Sequence, residues 1–113
     1  MGLLATIRRN GGATLNAETL TDAALSDGYA VGVATGTALI LPDDADDTTL
    51  GVALRLIAGA YECSFVGAWV ADDGVHLDPV EVAPNLADAM AAGRRYNQRA
   101  VYDLALGEEV AVA

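Results

Sequence analysis

The feature that most restricts the fold is a hydrophobic period that changes from two residues to about 3.6 and back, twice along the chain. Tyr29, Val31 and Val33 alternate with Ala30, Gly32 and Ala34, which is the repeat of a strand. Thr35-Gly36 turns the chain, and residues Thr37 to Leu41 read as a second strand ended by Pro42. Leu50, Ala53, Leu54, Ile57 and Tyr61 then recur at helical spacing. Asp47 or Thr48 is placed to cap that helix, with acidic residues where the helix dipole favours them. The period returns to two from Ser64 to Val70, with Phe65, Gly67 and Trp69 on one face. Ala71-Asp72-Asp73-Gly74 is a hairpin loop and Val75 to Val82 its partner strand. Pro79 lacks a ladder donor there and predicts an edge position or a bulge.

A second helix opens at Pro84-Asn85, with Asn85 as N-cap and Asp88 three residues on. Ala89, Met90, Gly93, Tyr96, Asn97 and Ala100 mark its inward side, and Arg94, Arg95 and Arg99 its outer side. Residues 100–104 and 109–112 form a last pair of strands around Ala105-Leu106-Gly107. At the N-terminus, Asn10-Gly11 supplies the positive-φ pair of a tight turn, which predicts a hairpin between residues 3–7 and 13–16. The expected class is α+β. Its mostly antiparallel sheet is built from β-hairpins with two helices on one face, in the order ββα-ββα-ββ after an N-terminal hairpin. Residues 1–28 are the hairpin or extension, and 29–113 a single α+β domain. Leu54, Ile57 and Tyr61 should face a sheet containing Val31, Val33, Phe65 and Trp69.

Charge narrows the partners. Sixteen acidic residues face six basic ones, a net −10, and all six are arginines. Such a surface repels phosphate backbones and anionic membranes, so neither nucleic acid nor membrane is an expected partner. The acidity has two readings: source composition, rich in Ala, Val, Gly and Asp, or an acidic face for a basic protein. Asp43, Asp44, Asp46 and Asp47 are the contact candidates under the second. A calcium loop starting at Asp44 would need glycine at Thr49 and glutamate at Arg55, so no EF-hand is expected. One cysteine, Cys63, permits no internal disulfide and reads as a buried thiol with no cation beside it. The short apolar stretch ahead of Arg8 and Arg9 is the reverse of a secretory signal, and the chain reads as a globular protein made inside the cell.

No catalytic set emerges. His76, the one histidine, lies two residues from Asp78 and could form a His–Asp pair, but nothing in the sequence completes a mechanism. Gly32–Gly36 lacks the lysine of a phosphate loop. Trp69, Tyr61, Tyr96 and Tyr102 read as core or interface anchors, and Asn97-Gln98 as a helix cap or a tie to a neighbouring strand. No enzyme, no metal and no cofactor is expected.

The stretches Phe65-Val66-Gly67-Ala68-Trp69-Val70, Asp73-Gly74-Val75-His76-Leu77-Asp78, Gly93-Arg94-Arg95-Tyr96-Asn97-Gln98 and Ala100-Val101-Tyr102-Asp103-Leu104 resemble small acidic proteins encoded by bacteriophages of actinobacteria. Ala68 stands where those proteins carry threonine, and residues 1–27 fall outside the resemblance. The resemblance implies a phage origin and names no chemistry. The expectation is a non-catalytic structural protein of the virion, a head or tail accessory subunit that packs against itself or a neighbouring subunit. The alternative is an acidic inhibitor or DNA mimic that binds a basic host protein in the host cytoplasm. Leu3, Leu4 and Ile7 at one end, with Val110 and Val112 at the other, are contact candidates, because short open edge strands invite pairing.

Overall fold

The computed structural model describes residues 2–112; Met1 and Ala113, which bound the two units drawn from sequence, lie outside them. In chain order the elements are α1 (Leu3–Asn10), β1 (Gly12–Asn16), β2 (Tyr29–Gly32), β3 (Leu39–Leu41), α2 (Asp47–Tyr61), β4 (Phe65–Ala71), β5 (Gly74–Ala83), α3 (Leu86–Arg95), β6 (Ala100–Asp103) and β7 (Glu108–Ala111). The strands form one antiparallel sheet in the order β1-β4-β5-β2-β6-β7, with β3 also on β5. The fold is α+β.

The expected N-terminal hairpin is replaced by a helix and a strand. Gly11 does take positive φ (+80°), but as the left-handed cap that ends α1. Asn-Gly serves a helix C-cap as well as a hairpin turn. The partner of β1 is then β4, with Leu15 opposite Val66. Ile7 is fully buried, and Leu3 and Leu4 pack on the same core, so these three residues are not an open edge strand.

Strands β2 and β3 do not form a hairpin either. Both run antiparallel to β5 along the same edge, Gly32 opposite Val80 and Leu39 opposite Leu77. They are one strand interrupted where residues 33–38 bulge away from Asp78 and Pro79. Of the two placements expected for Pro79, the edge is ruled out, since it is buried in an internal strand, and the bulge is found in the strand across from it. The Pro79 carbonyl accepts from Val33 N–H (2.9 Å) on the edge shared with β2 and β3. A strand residue directs its N–H and C=O to the same edge, so the missing donor falls at the interruption and leaves no ladder bond unmade.

The helices share one face. The larger core holds Ile7 of α1, Leu50, Leu54 and Ile57 of α2, and Leu15, Val66, Ala68, Val75 and Leu77 of the strands. A smaller core sets Ala89 of α3 against Val31 and Val101, with Val110 and Val112 partly buried beside it. Counting by twos along β5 puts both cores on the same side of the sheet. Two expectations are therefore corrected: Phe65 and Trp69 lie on the opposite face, and Tyr61 is 46% exposed. The alternation of β4 was read correctly, but both of its faces are apolar, and periodicity alone does not say which one a helix covers.

Local signals fix the helix ends. Asn85 caps α3 by accepting from Asp88 N–H (2.9 Å). The cap of α2 is Asp46, one residue ahead of the expected pair, accepting from Thr49 N–H (2.8 Å).

Candidate functional site

The face without helices carries a cleft of about 400 Å³. Its floor is made mostly of small residues at sheet positions that point away from the cores, Gly12 and Thr14 of β1, Ala30 and Gly32 of β2, and Ala100 of β6, with Val80 of β5 among them. Trp69 of β4 and Tyr102 of β6 rise from it, 38% and 42% exposed. The one cleft touches strands from β1 to β7. Segment residues Asp22 and Leu25, with Leu104, close part of the rim. The backbone of residues 21–23 is tied to β1 by Asn16 N–H to Thr21 C=O (2.8 Å) and Ala23 N–H to Thr14 C=O (3.1 Å).

Two glycines set the shape. A Cβ on Gly67 would stand 2.6 Å from the Trp69 ring, so the indole lies back over the glycine in its own strand. A Cβ on Gly32 would stand 2.7 Å from Gln98 Oε1. Gln98 reaches the cleft floor because its Nε2 donates to the carbonyls of Ala34 (2.6 Å), Gly36 (3.1 Å) and Tyr96 (3.1 Å). The sequence predicts that Asn97-Gln98 caps the helix or ties it to a neighbouring strand; Gln98 instead ties it to the segment between β2 and β3.

Two titratable groups of this face, His76 and Asp78, are held by their neighbours. His76 Nε2 pairs with Asp73 Oδ1 at 2.6 Å in the β4–β5 hairpin, not with Asp78 as the sequence suggested. That hydrogen bond holds the exposed Asp73 carboxyl below its ordinary value. Asp78 is 1% exposed beneath the bulge of residues 33–38. Its carboxylate accepts from Ala38 N–H (2.8 Å) and the Thr37 hydroxyl (3.1 Å). Burial nonetheless pushes its pKa up, with those hydrogen bonds opposing the shift. Burial likewise raises the Cys63 thiol, the opposite of what a nucleophile needs.

The acidic run serves internal contacts at three of its four positions. Asp43 pairs with Arg8 at 3.0 Å and also takes that guanidinium on its backbone carbonyl. Asp46 caps α2, and Asp47 Oδ1 accepts from Leu4 N–H (2.6 Å), capping α1 from a different helix. Asp44 is exposed. Val110 and Val112, the other terminal candidates, lean on α3, where a Cβ on Gly93 would stand 2.8 Å from Val112. Among the described residues no group of three or more His, Cys, Asp or Glu side chains could hold a metal ion, and no helix is long and apolar enough to cross a membrane.

The cleft is the feature that sequence reasoning missed. The signal that could have found it is Gly67-x-Trp69, a glycine two residues from an aromatic on one strand face, which lets the ring fold onto the backbone. No family model matches the chain, and no curated protein or solved structure matches it.

Proposed function

We propose that the chain is a non-catalytic structural subunit of a phage particle, working by packing its free sheet face against a protein neighbour. The observation that carries this reading is the placement of Trp69 and Tyr102, both more than a third exposed in a concave face that no helix covers. Half-exposed aromatics set around a recess are the anchors protein interfaces are built on. The likeness of residues 65–109 to small acidic phage proteins supplies the setting. The contact surface differs from the one read from sequence, because Ile7 is inside the core and Val110 and Val112 lean on α3.

The test is the protein content of purified particles. The intact chain should be present, and Trp69→Ala combined with Tyr102→Ala should be absent from particles while remaining folded in solution. A chain missing from particles that instead co-purifies with a basic host protein would replace this reading with the inhibitor one, which the net charge of −10 favours.

A further inference from the structure

The residues lining the cleft include two carboxylates, Asp22 and Glu109, two half-exposed aromatics, Trp69 and Tyr102, and no Lys, Arg or His. All six arginines of the chain lie elsewhere. A recess with π faces on its walls and negative charge at its rim is complementary to a planar cation. Arginine suits it better than lysine, because the guanidinium both stacks on aromatic rings and donates in a fork to carboxylates. The volume, about 400 Å³, falls in the range of roughly 300–1,000 Å³ typical of ligand clefts and leaves room for the backbone flanking such a side chain. Neither carboxylate holds the fold together through its charge. Asp22 Oδ1 accepts one local bond, from Ala24 N–H (2.7 Å), and Glu109 is exposed on the edge strand β7.

We propose that this cleft receives an arginine side chain from a basic segment of a neighbouring protein. The assignment rests on the packing role proposed above and names the chemistry of the partner. Charge selects the partner and the aromatics hold it, so the contact is salt-sensitive but does not vanish in salt.

Trp69 is the one tryptophan of the sequence, so its fluorescence and its indole N–H resonance report on the cleft alone. The intact protein is titrated with the blocked tripeptide acetyl-Gly-Arg-Gly-amide and, separately, with its neutral isostere carrying citrulline. The arginine peptide should shift the indole resonance saturably and bind about fivefold or more tighter than the citrulline peptide. The double variant Asp22→Asn with Glu109→Gln keeps the shape and the Ala24 acceptor, and should erase that preference without lowering Tm. Equal binding of the two peptides, no saturable shift of Trp69, or a preference that survives the double variant would each overturn the proposal. So would an indole resonance that moves with protein concentration alone, which would make a second copy of the chain the occupant. A protein present in particles but blind to the peptides would sink this assignment and leave the packing role standing. Selective arginine binding by a protein absent from particles would do the reverse.

Discussion

On one face of β4, Val66 and Ala68 are fully buried under α2; on the other, Trp69 stays 38% exposed with its ring laid over Gly67. The strand is apolar on both sides, so hydrophobicity does not explain the difference. Partner size does. The helix-facing positions of β1, β4 and β5 include Leu15, Val66, Val75 and Leu77, branched side chains that interdigitate with Leu50, Leu54 and Ile57. On the opposite face the positions that floor the cleft are mostly Gly, Ala and Thr, namely Gly12, Thr14, Ala30, Gly32 and Ala100 beside Val80, and they offer a helix little to pack into. One face is filled from within the chain; the other is left open by it.

The sharpest way to break this comparison is to cut one large side chain on each face. Leu54 has no exposed surface, and Leu54→Ala should cost about 2–5 kcal/mol in denaturant unfolding. Trp69→Ala should cost under about 1.5 kcal/mol, since much of its ring is already in water. Equal costs would mean that the free face is a second core.

Asp78 sharpens the contrast, as a charged group on the open side that is nonetheless covered. Asp78→Ala orphans Ala38 N–H and should cost about 1–3 kcal/mol. Asp78→Asn keeps an acceptor and cannot ionise. Because burial raises the folded pKa above the ordinary carboxylate value of 3.8, this group lowers stability as pH rises through that value and the raised one. The Tm of Asp78→Asn relative to the parent should therefore climb between pH 3 and pH 7. A flat difference would mean the hydrogen bonds from Thr37 and Ala38 fully compensate the buried charge.

Gly67→Ala tests the seat of the indole. The added methyl must displace the ring or Val80, so Trp69 emission should change with a loss of about 1 kcal/mol or less. An unchanged spectrum would show that the glycine does not position the ring. Smallest of all is Arg8→Ala, which removes a solvent-exposed pair with Asp43 and should cost no more than about 1 kcal/mol, less in high salt.

The strands of the C-terminal half, the N-cap of α3 and the inward side of α2 apart from Tyr61 were legible because each rests on a local signal: alternation, an N-cap residue, or a heptad-like repeat. The misreadings fall where one signal has two physical uses. Asn10-Gly11 ends a helix as readily as it turns a hairpin, and Leu3, Leu4 and Ile7 fit one helix face as well as a strand. Thr35-Gly36 marks a bulge, not a reversal, and only the position of Pro79 across the ladder explains why. Beyond the Gly67-x-Trp69 signal the cleft was hard to read, because its floor comes from small residues far apart in sequence, brought together by sheet order. The acidic run looked like a surface for others and is partly the chain's own fastening.

That fastening has a kinetic consequence. α1 is an eight-residue helix, too short to persist alone in water, and its cap belongs to Asp47, at the start of another helix. It therefore has no reason to form until α2 is in place. In a folding reaction followed by pulsed hydrogen exchange, the amides of residues 6–10 should gain protection after those of 51–60. In the native protein they should be the first helical amides to open.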